Sequence, residues 1–482
     1  MSVIPQTFPR RLFLNSAAIF GGEAVARCAT LVMAVIIARR FGPVALGEYG
    51  YALAFASILL LVPDFGTHLF AVRELSTNPE RLPAIFWNIH WLKLFLTGAV
   101  ALFVILCGAW LIPDLGSRLL FYLLTGRVLL QTYSQASMAI FKAFERMHFV
   151  AMQQSINSLV VVAWAGIALT FKADLWMVVA ALMAGQAAET CLGWQFIRTN
   201  FSPGRFARWD SRLLSAIIVS SFPIGITAML QALNLRIEVL VLGRYVSNQM
   251  LGQFQAVAWF PVGIFLVTAL LMTVLFPKLS RVMRRDSMHS NAYLTGLLKN
   301  GLLVIVLGSI VLWLYAPELL VWIFGEALSP AAPTLRLLAP MFPLVFMNTV
   351  LFYVFIAAQR RGVYMGTLGL GVALGLGLSF ILTAHYGVVG CALAGVVREL
   401  AMSSFYLYFL IRGNHARTAG LGVLKVFLPA TLFVVLGFLF TAIPGHALQW
   451  FAAWLVLVLV GTLVTLGFPR RTEWQLLADD SL

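Results

Sequence analysis

One apolar run of helix length follows another along this chain, each cut off by charged residues or by proline and glycine. A helix needs about 20 apolar residues to cross a hydrocarbon core of about 30 Å. Runs of that kind fall near 13–38, 46–71, 84–112, 118–140, 149–171, 175–197, 213–242, 250–276, 297–322, 331–358, 362–383, 387–411, 422–443 and 448–468. They predict an all-α integral membrane protein of about 14 transmembrane helices. Composition points the same way. The chain is 61% hydrophobic and 11% charged, against about 25% charged residues in a soluble domain. The first run has a basic start, but its apolar part exceeds a signal peptide's core and contains Glu23 and Arg27. It reads as a retained first helix.

A net charge of +15 invites a nucleic-acid partner. The basic residues, however, recur in short loops between apolar runs, which is a topology signal. With the N-terminus inside, twenty Lys and Arg fall on cytoplasmic segments, including Arg73, Arg146, Arg198, Arg281 and Arg360. Five fall on the other side: Arg39, Arg40, Arg118, Lys172 and Arg244. Both termini and the loop 277–291 are expected in the cytoplasm, and residues 315–333 outside. Cys28, Cys107, Cys191 and Cys391 all lie in apolar runs with no metal-ligand spacing and read as small buried hydrophobes.

The pattern repeats. "RRFGPVALGEYGYALAF" (39–55) follows the first run and "GRYVSNQMLGQFQAVAW" (243–259) follows the seventh. "KAFERMHF" (142–149) ends the fourth and "IAAQRRGV" (356–363) ends the tenth. The offsets are about 205 and 214 positions. Six spans per repeat is even, so the two repeats are parallel, and parallel repeats place a substrate site between the halves near the midplane. The expected organisation is an N-terminal lobe at 1–212, a C-terminal lobe at 213–412, and two additional spans with a tail at 413–482.

"ARRFGPVALGEYGYALAF", "DFGTHLFAVREL", "FKAFERMHF" and "RIEVLVLGRYVSNQMLGQF" together resemble the polysaccharide-biosynthesis flippases, the Wzx-type O-antigen and exopolysaccharide transporters of the multidrug/oligosaccharidyl-lipid/polysaccharide exporter superfamily. The likeness covers about the first 280 residues, and the later spans match in layout. It implies two lobes around a central cavity, and a substrate of polyprenyl-diphosphate-linked oligosaccharide moved across the bacterial inner membrane. It implies transport rather than catalysis, no metal or cofactor, and membrane lipids and other polysaccharide-assembly proteins as partners. The acid common in this family's seventh span is here Glu238, one methylene longer than the frequent Asp.

Flipping breaks no bond, so the barrier is desolvation of a diphosphate and several sugars. Arginine suits the phosphate because it stays charged when partly buried and binds oxyanions bidentately. The basic candidates inside spans are Arg27, Arg127, Arg236, Arg336 and Arg398. The acidic ones are Glu23, Asp64, Glu189, Glu238 and Glu399. In "MLQALNLRIEVLVLGRY" (229–245), Arg236 and Glu238 stand about 200° apart on a helix, so they cannot neutralise each other. Arg236, Arg127, Arg398 and Arg27 are the candidates for substrate contact, with Arg236 receiving the diphosphate. Glu238, Asp64, Glu189 and Glu399 are the candidates for gating, or for coupling to protons or sodium. Glu23 and Arg27, at i,i+4, also suit a structural clasp. Arg336 suits an interfacial role. His68, His90 and His385 lie near span ends and are assigned no role.

Two other functions fit less well. An exporter of small cationic solutes favours an acidic, aromatic cavity. A polymerase or glycosyltransferase acting on the same lipid-linked sugar needs a sizeable extramembrane loop, whereas 315–333 is short and largely apolar.

Overall fold

The computed structural model describes residues 8–111, 114–201, 204, 209–283 and 287–412, with side chains from Cys28 onward apart from 111 and 287–292. The two additional spans expected within 413–482 lie outside the described residues. Every regular element among the described residues is a helix. A hydrocarbon core offers no water to unpaired backbone groups, and a helix satisfies its own. Nine segments among the described residues are long and apolar enough to cross a membrane.

The first unit, Met1–Arg236, contains α1 (Phe8–Leu59), α2 (Leu61–Asp64), α3 (Thr67–Thr77), α4 (Leu82–Leu111), α5 (Leu115–Ala143), α6 (Met147–Thr170), α7 (Leu175–Asn200) and α8 (Ser211–Asn234). The 52 residues of α1 are interrupted at Gly42, whose φ of 82° suits glycine, and Pro43 follows without a donor. Two helices therefore stand where one continuous helix would overrun the bilayer. Asp114 caps α5 by accepting from the Ser117 backbone N–H at 2.8 Å, and that bond holds its carboxyl below the usual range. Helices α1, α5, α6 and α7 pack together as the core of this unit. Small residues permit the approach: a Cβ on Gly193 of α7 would meet Gln153 of α6 and Ser137 of α5.

The second unit, Ile237–Leu482, contains α9 (Ile237–Tyr245), α10 (Asn248–Val282), α11 (Ser287–Leu314), α12 (Ala316–Phe324), α13 (Ala332–Leu338), α14 (Phe342–Ala357) and α15 (Arg361–Arg412). Helix α14 is its centre, buried along most of its length and packed by α10, α11 and α15. Gly387, at φ 56°, interrupts α15 as Gly42 does α1.

Three expectations change. The seventh span is not one helix: it breaks at Leu235–Arg236, where the Arg236 N–H closes back on Leu233 O at 2.9 Å. The 200° separation of Arg236 and Glu238 assumed a continuous helix and does not apply. Residues 315–333, read as a connection, form α12 and a 3-10 turn, with Ala316, Leu320 and Phe324 buried at i, i+4 and i+8. The cysteines are not all buried: Cys28 and Cys191 are exposed, Cys107 is intermediate and Cys391 is buried. The sequence reading puts the lobe boundary at 212/213; the compact units divide after Arg236, and α8 packs on α3 and α4.

Candidate functional site

Within the first unit a cavity of about 340 Å³ runs beside α5, from Arg127 to Lys142. Fifteen residues of helix make that run about 22 Å. Its walls are unusually rich in amides for membrane-length helices: Gln131 and Gln135 from α5, Gln154 and Asn157 from α6, and Gln186 from α7. An amide both donates and accepts, so this wall offers hydrogen bonds in either sense. Two of the amide oxygens, Gln135 Oε1 and Gln154 Oε1, are buried with no hydrogen-bond partner. A buried unsatisfied acceptor costs about 1–3 kcal/mol, which a hydroxyl-bearing ligand would recover. The lining cations are Arg127 and Lys142, with His68 at one side, and the lining acid is Glu189.

Glu189 is 5% exposed. Asn157 Nδ2 donates to its carboxylate, and Gln153 Nε2 donates to its carbonyl at 3.0 Å. The Ser134 hydroxyl and the Gln186 amide also interact with this carboxylate. Asp64 lies in a different setting. It accepts from Lys93 Nζ at 2.9 Å and meets His68 Nδ1 at 2.7 Å. His68 also lines the cavity, so the Asp64–Lys93 pair touches the cavity wall through the imidazole.

The second unit holds a separate cluster. Glu238 stands in the first turn of α9, where a negative charge suits the helix end. Arg398 of α15 donates one nitrogen to Glu238 Oε1 and the other to Glu399 Oε1, the latter at 3.0 Å. Asn348 of α14 donates to Glu399 Oε2 at 2.8 Å, and Ser403 donates to Asn348 Oδ1 at 2.8 Å. Glycines make room: a Cβ on Gly375 would lie 3.0 Å from Arg398 Cδ, and one on Gly395 3.2 Å from Glu238 Oε1.

Of the eight residues singled out in the sequence, Arg127 and Glu189 come together at the cavity, and Arg398, Glu238 and Glu399 form the second cluster. Arg398 is 4% exposed, with its two terminal nitrogens on carboxylates. Arg236 is half-buried at the α8–α9 break. The side chain of Arg27, with that of Glu23, lies outside the described residues. Arg336 packs its guanidinium 5.4 Å from the Trp313 ring and donates to Trp313 O at 3.3 Å. Sequence reasoning missed Lys93 and Lys299, both buried in apolar runs, so its even balance of intramembrane charges was short by two cations. For Lys93 the signal was present: a lysine in "NIHWLKLFL", well inside the third run.

Membrane-length helices thus carry the polar cavity of the first unit. The chain matches the model of the polysaccharide biosynthesis protein family over residues 12–283, more than half its length, and it belongs to that family. Among solved structures it is similar to a lipid II flippase, MurJ, in an inward closed conformation, at 14% identity and a TM-score of 0.67, covering 94% of this chain and 98% of the other. It is also similar to an inward-facing MATE-family multidrug resistance transporter of the MOP superfamily, at 12% identity and a TM-score of 0.65, covering 85% and 95%. A MOP-superfamily transporter from Pyrococcus furiosus matches at 14% identity and a TM-score of 0.56, over 88% and 96%. These likenesses speak to the fold. No curated protein matches the sequence significantly.

Proposed function

We propose that this protein flips a polyprenyl-diphosphate-linked oligosaccharide across the bacterial inner membrane, for O-antigen or exopolysaccharide assembly, by alternating access. The reading includes fourteen spans in two parallel six-helix repeats plus two C-terminal spans, with both termini in the cytoplasm. The partners it implies are the lipid-linked sugar, membrane lipids and other polysaccharide-assembly proteins.

The observation that carries the reading is the amide-lined cavity of the first unit, with Arg127 and Lys142 on its wall. Amides that donate and accept match sugar hydroxyls, and a guanidinium matches a phosphate oxyanion. Two cations against the lining Glu189 disfavour an organic-cation cargo. In this reading Arg127 and Arg236 receive the diphosphate, and Arg27 keeps the substrate role given by its span. Arg398 belongs with Glu238 and Glu399 as a gating cluster, because carboxylates already hold its terminal nitrogens. Glu189 is the coupling carboxylate for a proton or sodium gradient, since it is the carboxylate on the cavity wall and the Asn157 amide donates to it.

The test is transport of a lipid-linked oligosaccharide in proteoliposomes, normalised to folded protein. Arg127→Ala and the double change Gln135→Leu with Gln154→Leu should each lower transport at least about 10-fold, the scale of one lost charge-assisted bond. Glu189→Gln should remove the dependence on an imposed gradient. Parental rates in the Arg127 and Gln135/Gln154 variants would overturn the site.

A further inference from the structure

A second concavity in the first unit has a different character. It measures about 490 Å³, within the range of small-molecule sites, about 300–1,000 Å³. Trp87, Trp91 and Leu94 of α4, Tyr133 of α5, and Cys191 and Trp194 of α7 line it. Its wall is almost wholly hydrocarbon and aromatic, unlike the amide wall of the cavity.

Its position separates it from that cavity. On α5, Tyr133 and Ser137 lie about 140° around the helix from the cavity-lining Arg127, Gln131 and Gln135. The groove therefore opens on the opposite face of α5. Its rim is exposed: Leu94 is 55% exposed, and Cys191 is exposed as well. In a membrane-spanning bundle, an exposed apolar rim faces lipid.

The mouth carries a charge. Arg198, exposed at the end of α7, sets its guanidinium 5.0 Å from the Trp194 ring. Trp194 in turn packs on Phe86, Trp87 and His90. A cation stacked on a tryptophan at the end of a hydrocarbon slot complements one ligand chemistry: an anionic head with an aliphatic chain.

We propose that this groove binds one acyl chain of an anionic glycerophospholipid, with Arg198 holding the headgroup phosphate. The ligand is a resident lipid rather than cargo, because the groove lies across α5 from the polar cavity. It would fix α4 against α7, and its occupancy does not depend on what the cavity carries.

The test uses the full chain in nanodiscs, with diazirine-bearing phosphatidylglycerol or phosphatidylcholine as the probe and cross-links mapped by mass spectrometry. Phosphatidylglycerol should cross-link the groove residues Trp87, Trp91, Leu94 and Trp194 in preference to exposed apolar residues elsewhere, such as Leu106 and Val162. Arg198→Gln should lower that preference over phosphatidylcholine by about five-fold, the scale of one basic residue near a membrane surface. Arg198 is exposed, so this variant should fold. Cys191→Trp, which fills the groove from its rim, should remove groove cross-links while leaving those elsewhere. Even cross-linking over all exposed apolar residues would overturn the proposal. So would equal capture of the two probes by the parent, or displacement of the probe by a polyprenyl phosphate but not by unlabelled phosphatidylglycerol. None of these outcomes bears on transport of a lipid-linked sugar.

Discussion

Lys93 has no exposed surface, and its ammonium lies 2.9 Å from Asp64. Two charges so placed gain little over an apolar pair of similar volume, but either one alone is costly. Lys93→Met should therefore destabilise the protein by about 3 kcal/mol, the low end for breaking a buried pair. Adding Asp64→Asn should recover most of that loss. Thermal unfolding in detergent across the two singles and the double measures the coupling. A double variant no more stable than Lys93→Met would mean that Lys93 does not serve to neutralise Asp64. The same logic explains what sequence could reach at this scale. An intramembrane charge is conspicuous by its cost, so Asp64, Glu189, Glu238 and Arg398 stood out. Their partners did not, because Glu238 and Arg398 are 160 residues apart and no spacing rule joins them.

Helix contacts turn on single glycines that composition does not distinguish. The run "LGLGVALGLGL" (368–378) looks uniform, yet a Cβ on Gly369 or Gly377 would meet nothing within 4 Å, whereas one on Gly375 would meet Arg398 and Ile237. A close backbone approach in the first unit lies between the turn before α3 and α8. Gly66 sits at φ 79°, and its Cβ would come 2.9 Å from Gly225 N; a Cβ on Gly225 would come 2.8 Å from Phe65 O. Backbone cannot yield as a flexible side chain does. Gly225→Ala should lower the unfolding temperature, while Gly369→Ala should hold or raise it by removing about 0.5–1 kcal/mol of helix-interior glycine cost. Similar shifts from both substitutions would show that α8 does not depend on this contact. The break at Leu235–Arg236 was beyond sequence reading for a related reason: neither proline nor glycine marks it. The interruptions at Gly42 and Gly387 were legible, since Gly42 falls between two apolar runs and Gly387 opens the run 387–411.

At the scale of the whole molecule, hydropathy and loop charge carry the reading, because the bilayer imposes both on every span at once. One span missed or invented would reverse all later loops, so orientation is tested best at several points along the chain. The exposed residues suited to this are Asp174 before α7, Glu326 after α12, His148 at the start of α6 and Arg360 before α15. The positive-inside bias puts the first two outside and the last two in the cytoplasm. With Cys28, Cys107 and Cys191 replaced by serine, each position is changed to cysteine in turn and treated on intact cells with a membrane-impermeant maleimide. Asp174→Cys and Glu326→Cys should label, and His148→Cys and Arg360→Cys should label only after the membrane is opened. Correct labelling at Asp174 and His148 with reversal at Glu326 and Arg360 would place the error between α7 and α12. That region holds the seventh span, the one that the structure divides into α8 and α9. Reversal at all four positions would turn the whole molecule over and put the end of α7 that carries Arg198 outside. The even count of spans between Asp174 and Glu326 is then the quantity under test, and only the paired result at those two positions decides it.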